Sequence, residues 1–145
     1  MRISVKSEYA ILALLDLAEA YQSGELRALE DISKEKIIPQ SFLVQILIQL
    51  KKAGFVESRR GAGGGYRLRL EPSEIVLGEI LKLMDGPVLP FRCSNKENGA
   101  SESNCQLEPS CVLLSVWEEL RNAINSVIDD ITFADLLERQ KAKGS

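Results

Sequence analysis

Five residues near the middle of the chain, Gly61-Ala62-Gly63-Gly64-Gly65, narrow the possible folds more than any other stretch. Glycine loses more conformational freedom on ordering than any other residue, so such a run does not build the interior of a helix or strand. It suits a tight turn. The flanks agree: Phe55–Arg59 reads as a strand, and Tyr66–Leu70 alternates, with Tyr66, Leu68 and Leu70 on one side and Arg67 and Arg69 on the other. The segment is therefore predicted to be a β-hairpin, ended by Pro72. No Gly-Lys-Ser/Thr follows the glycines, which excludes a nucleotide-binding P-loop.

Helical patterns precede the hairpin. Val5, Tyr9, Leu12, Ala13, Asp16-Leu17 and Ala20 recur at three-to-four spacing and predict a helix over residues 5–21, with Gly24 beyond it. Leu29–Lys36 is a second, shorter pattern. Pro39 opens a third, because its missing N–H has no intrahelical partner in a first turn. Phe42, Leu43, Ile46, Leu47 and Leu50 form the apolar stripe of that helix, and Gly54 is placed to close it. After the hairpin, Leu77–Asp85 reads as a fourth helix capped by Gly86.

Three helices followed by a Gly-turned hairpin is the order of a winged helix-turn-helix. A helix of this width enters the major groove when its opposite face is anchored in a core. On the third helix, Gln40, Ser41, Val44, Gln45 and Lys51 are predicted to point away from the anchor. Gln40 and Ser41 stand where base edges would be read, Val44 can offer apolar contact to a thymine methyl, and Lys51 and Lys52 suit phosphate. Arg59, Arg60 and Arg67 flank the glycines, and Gly63 and Gly64 let backbone approach the duplex closely. Charge supports this reading despite a net −3: residues 51–70 hold Lys51, Lys52, Arg59, Arg60, Arg67 and Arg69 against Glu57 alone. A basic island in an acidic chain attracts phosphate locally while the remainder favours solubility.

The pattern breaks over residues 87–111, where Cys93, Cys105 and Cys111, all of the chain's cysteines, are found. A structureless stretch this long is uncommon in a compact domain unless it is functional or disordered. The longest helix is expected from about Ser110 to Ile128, with Leu113, Val116, Trp117, Leu120, Ile124, Val127 and Ile131 in register. Its stripe of Leu113, Trp117, Leu120, Ile124 and Ile128 suits a dimer interface, or packing on the first helix, or both. Thr132-Phe133-Ala134-Asp135 resembles a capping box for a short final helix to about Arg139, followed by a frayed tail. The expected class is mainly α with a small β-hairpin: a winged helix-turn-helix over 1–86, a cysteine-bearing loop over 87–111, a long dimerisation helix over 112–131, and a short helix and tail over 132–145.

The chain resembles the bacterial IscR/NsrR/CymR-type (Rrf-type) family of winged-helix transcription regulators. Three stretches carry the resemblance: Lys6-Ser7-Glu8-Tyr9-Ala10, the Pro39-x-x-Phe42-Leu43-x-Gln45-x-Leu47 pattern, and Leu50 to Tyr66 with its Ala53-Gly54-Phe55-Val56 and Arg60-Gly61-x-Gly63-Gly64-Gly65-Tyr66 runs. The resemblance implies a homodimer on a palindromic double-stranded operator, with the long helix after Cys111 as the dimer element. It also implies an iron–sulfur cluster, 2Fe-2S or 4Fe-4S, held by Cys93, Cys105 and Cys111, since thiolates are the natural ligands of such clusters. Two features depart from the pattern. Eleven residues separate Cys93 from Cys105, a longer interval than many relatives have, and Leu114 stands where a histidine ligand often follows the third cysteine. Some relatives recruit a carboxylate from the partner's first helix, and Glu8 occupies that motif position. Glu8 equally suits a solvated helix start favoured by the macrodipole.

The absence of histidine removes histidine acid–base chemistry and every histidine-containing metal site. No substrate-site constellation, nucleotide motif or closely spaced cysteine pair points to an enzyme or an electron carrier. No stretch approaches the length of a membrane span, and the N-terminus lacks a secretory pattern, so a cytoplasmic protein without membrane contact is expected. The reading is a DNA-binding transcription regulator sensing redox, iron or nitric oxide through a cluster. The alternative is a cluster-free regulator of the same fold sensing thiol state, zinc or a partner protein.

Overall fold

The computed structural model describes residues 2–87 and 110–144. Six helices and one hairpin follow in the order α1 (Val5–Glu19), α2 (Leu29–Lys36), α3 (Gln40–Lys52), β1 (Val56–Arg59), β2 (Gly65–Leu68), a 3-10 turn (Pro72–Glu74), α4 (Leu77–Asp85), α5 (Leu113–Ile128) and α6 (Phe133–Gly144). The architecture is mainly helical with one antiparallel hairpin, as expected. α5 begins a little later than the sequence pattern suggests, and α6 continues well past Arg139.

α1, α2 and α3 enclose the core with the base of the hairpin and α4. Ala10, Ala13, Leu14 and Leu17 of α1 meet Ile32 of α2, Leu43, Ile46, Leu47 and Leu50 of α3, and Val56 and Leu68 of the hairpin. These are the spacings that put side chains on one helix face. Phe133 at the start of α6 is fully buried in the same cluster, with Leu136 and Leu137 packed beside it. The capping box expected there is present: Thr132 Oγ1 accepts from the Asp135 N–H, and Asp135 Oδ2 accepts from the Thr132 N–H. A short backbone exchange anchors this corner, with the Leu77 N–H donating to the Ile131 carbonyl and the Phe133 N–H to the Ile75 carbonyl.

One expected anchor fails. Phe42 is 52% exposed, not part of the α3 core face. It stands about 100° around the helix from Leu43, at the margin of the apolar stripe. Its ring meets Tyr9 edge-on, with centroids 5.9 Å apart.

α1 begins on a hydrogen-bonded clamp. The Ser4 backbone N–H and the Ser7 hydroxyl both donate to Asp85 Oδ2, at 3.1 and 2.7 Å, tying the end of α4 to the first turn of α1. Desolvation alone would raise the Asp85 pKa, but the hydrogen bonds from Ser4 and Ser7 together outweigh it and hold the carboxyl below its ordinary value of 3.8. A carboxyl depressed by folding contributes stability that is complete above its unfolded pKa and is lost as pH falls through the folded one. Thermal melts should therefore show an acid limb below about pH 4, and Asp85→Asn should flatten it while changing stability less at acid than at neutral pH. An unchanged limb in that variant would show that the clamp contributes nothing.

Candidate nucleic-acid interface

The hairpin register pairs Val56 with Leu68, Glu57 with Arg67, Ser58 with Tyr66 and Arg59 with Gly65. A third strand segment of one residue completes this small sheet. Arg27 bridges Tyr66, each N–H donating to the other's carbonyl at 2.8 Å. Gly65 is required here, because a Cβ on it would lie 2.5 Å from the Arg27 carbonyl oxygen.

Arg27 itself is held from below. Its guanidinium donates to both Asp16 oxygens, Nε at 2.8 Å and Nη2 at 3.2 Å, and also reaches Glu35. The hydrogen bond to Asp16 pushes Arg27 further above its already high pKa, against the opposing effect of burial. Asp16 is only 1% exposed on a face otherwise filled by Ala13, Leu14 and Leu17. α1 is thus joined to the wing by a buried carboxylate, a guanidinium and one strand residue. Sequence reading placed Asp16 within the helical stripe of α1 without assigning it a partner. A carboxylate on an apolar face is the signal that could have found it, since buried charges require pairing.

Of the residues predicted to read DNA, Gln40, Ser41 and Gln45 are exposed on α3, whereas Val44 is half-buried. Lys52, predicted to suit phosphate, is exposed, and Ile48, which was not among the predicted contacts, shares its face. Lys51 is exposed and donates from Nζ to Ser58 Oγ at 2.7 Å, linking the end of α3 to β1. Arg59, Arg60 and Gly63 are exposed, and Gly64 is half-buried. No carboxylate pairs with Arg59 or Arg60 among the described residues. Arg67 differs: its Nε donates to Glu57 Oε1 across the hairpin, in agreement with their register. The wing therefore carries two arginines without a protein counter-charge at its tip and one that is neutralised.

The candidate cluster ligands are only partly within view. Cys111 is half-buried and a free thiol just before α5, and Glu8 is exposed in the first turn of α1. Cys93 and Cys105 lie outside the described residues. Among the described residues no three His, Cys, Asp or Glu side chains gather as a metal-binding group. No helix of the described residues is long and apolar enough to cross a membrane.

α5 is joined to the rest mainly at its C-terminal end. Gly78 of α4 lets it approach: a Cβ there would fall 2.0 Å from Asp129 Oδ1 and 3.2 Å from Ile128 Cγ1. Lys82 pairs with Asp129 at 3.3 Å across the same junction. Of the expected interface residues, Leu113 and Leu120 are exposed, Trp117 and Ile124 half-buried, and Ile128 buried within the protomer. Val112, Val116 and Val127 extend the exposed apolar surface. α1 is covered instead by α3, α4 and α6.

A core-anchored α3 with an exposed polar N-terminus, beside an arginine-tipped hairpin locked to the same core, defines a winged helix-turn-helix protein. The comparisons with known proteins make the class specific. Residues 3–139 match the model of the Rrf2 family, described as iron-dependent transcriptional regulators, and the chain belongs to that family. It is similar to the HTH-type transcriptional regulator IscR of Aliivibrio salmonicida, 38% identical over 137 residues that span 94% of this chain and 77% of the relative. The IscR of Serratia proteamaculans is 37% identical over 140 residues, 97% of this chain and 81% of the relative. Among solved structures, T. potens IscR superposes with a TM-score of 0.74 at 32% identity, covering 97% of this chain and 88% of the other. CymR of B. subtilis, the global cysteine regulator, superposes with a TM-score of 0.75 at 29% identity, covering 96% of this chain and 98% of the other. The chain is a DNA-binding transcription regulator and not an enzyme.

Proposed function

We propose that this regulator acts as a homodimer on a palindromic operator and reports redox, iron or nitric oxide status through an iron–sulfur cluster. The observation that carries the DNA contact is the unpaired cationic wing tip beside the exposed start of α3. Gln40, Ser41, Gln45 and Val44 read base edges. Lys51, Arg59 and Arg60 contact phosphate or a narrow minor groove, and Gly63 and Gly64 bring backbone close. Arg67, paired with Glu57, stiffens the wing and presents its remaining N–H groups.

The homodimer is supported by the apolar stripe of α5, from Leu113 through Trp117, Leu120 and Ile124 toward Ile128. A single exposed apolar face on a helix hinged at one end is a surface that a second copy can cover. Two-fold symmetry then sets two α3 helices at half-sites about one helical turn apart.

The donor chemistry fits a cluster. Cys93, Cys105 and Cys111 supply three thiolates, and Cys111 is neither bonded in a disulfide nor sealed in the core. Glu8 is the candidate fourth ligand, reached from the partner protomer. When bound, a cluster supplies one-electron redox chemistry. The chain's own contribution is leverage: Cys111 lies directly before α5, whose far end packs closely on Gly78 of α4 at Asp129 and would serve as a pivot. Tilting α5 at that pivot changes the separation of the two recognition helices.

Anaerobic purification tests this reading. The protein should carry iron and sulfide with visible absorption, and each of Cys93→Ala, Cys105→Ala and Cys111→Ala should abolish the colour. Operator affinity of the loaded and stripped dimers at one salt concentration should then differ by about tenfold or more, a typical coupling for two linked sites. A colourless, iron-free protein would establish the cluster-free sensor instead, and equal affinities would remove the switch.

A further inference from the structure

The turn between α2 and α3 contains the one non-glycine residue with positive φ among the described residues, Ile37, at φ 56° and ψ 51°. A β-branched side chain is poorly suited to this left-handed region, which Gly, Asn and Asp occupy far more readily. Such an arrangement is strained and persists only where the surroundings over-determine it. They do so here. The Ile38 N–H donates to the Ser33 carbonyl at 2.9 Å, the Ser33 hydroxyl donates back to the Ile38 carbonyl, the Ile38 side chain is buried, and Pro39 follows.

The backbone therefore needs a left-handed residue at 37, but nothing among the described residues calls for isoleucine there. Its side chain is 84% exposed, the most exposed of the large hydrophobics among the described residues. Two separate costs, strain and apolar exposure, coincide at one position, with no compensating burial among the described residues. Ile37 lies just ahead of Pro39, Gln40 and Ser41, where α3 would enter the groove.

We infer that Ile37 is a DNA-contacting residue, whose side chain packs on an apolar group of the duplex at the edge of the α3 site. This rests on α3 being the reading helix. The apolar groups a duplex offers there are the thymine C5-methyl and the deoxyribose. A thymine contact adds sequence preference, whereas a sugar contact adds affinity alone.

The test uses the full-length protein and a fluorescent duplex that the wild type selects from a random-sequence library. Ile37→Asn, which tolerates the left-handed region, should raise the melting temperature by about 2 °C or more. Ile37→Gly should weaken duplex binding about fivefold at fixed salt, and Ile37→Leu should bind within about twofold of the wild type, on the principle that apolar contact rather than a particular shape is needed. Deoxyuridine in place of thymidine reproduces the Ile37→Gly loss if the methyl is the partner and leaves it intact if the sugar is. Unchanged binding by Ile37→Gly overturns the inference, as does an unchanged melting temperature for Ile37→Asn. A Ile37→Gly variant that binds normally but alters the oligomeric state assigns the side chain to a second copy instead. A wild type that selects no duplex refutes α3 as the reading helix, which is a different failure from loss confined to position 37.

Discussion

Reversing both wing-tip charges, Arg59→Glu with Arg60→Glu, should lower operator affinity about a hundredfold or more at 0.1 M salt, through lost phosphate contact and new repulsion. The reason is local. Both side chains are exposed, and no carboxylate among the described residues neutralises them. Each phosphate contact releases counterions at about 0.9 per contact, and a dimer carries both arginines twice, so the slope of log affinity against log salt should also shrink by about 3.6. Stability should change little, since exposed substitutions away from special contacts stay within about 0.5 kcal/mol. Fluorescence anisotropy across a salt titration, with melts alongside, reads both quantities. Reversing Lys141 and Lys143, which lie on α6 outside the basic island, should leave the slope nearly unchanged. Retained affinity in the wing variant would remove the wing from the interface, whatever α3 does.

The second large effect concerns stability. Phe133→Ala should destabilise the fold by about 3–5 kcal/mol, the usual range for truncating a fully buried phenylalanine. Phe133 has no measurable exposure and fills the cluster formed by α1, α3 and α4. It also opens α6, whose cap is set by Thr132 and Asp135 and whose backbone is tied to Ile75. Chemical denaturation at fixed protein concentration measures the loss. The control is Val127→Ala, on the exposed face of α5, which should cost far less in the protomer. If Phe133→Ala unfolded no more readily than Val127→Ala, α6 would have to be a loosely attached appendage.

That outcome bears on how the C-terminal region reads in one dimension. Thr132 and Asp135 announce a helix start by local chemistry, and the capping box forms as expected. The length of α6 and the burial of Phe133 have no comparable local signal. Lys141, Lys143 and Gly144 look like a fraying tail. They remain helical in the structure, where Leu136 and Leu137 pack on the core and Gln140 donates to Glu19 of α1 at 2.6 Å. Tertiary contact, not propensity, extends the helix.

Phe42 shows the converse. Hydrophobicity assigned it to the anchor of α3, but its angular position leaves it at the edge, where it contacts Tyr9 instead. Asp16 shows a third case. Its residue type contradicts its place on an apolar face, and only the arrival of Arg27 from outside the helix resolves the conflict. Arg59 and Arg67 look equivalent in the sequence. The hairpin register separates them, leaving one free at the tip and bringing the other opposite Glu57.

Periodicity and turn chemistry, read along the chain alone, determined the helices, the Gly-turned hairpin, their order and the basic island, because each depends on spacings of a few residues. Only the folded chain decided which cations stay unpaired, that Asp16 and Arg27 brace the wing, that Phe133 completes the core, and that α5 joins the protomer by one end. Those outcomes depend on residues far apart in sequence meeting in space, and on burial, which sets the strength of every charge interaction once they meet.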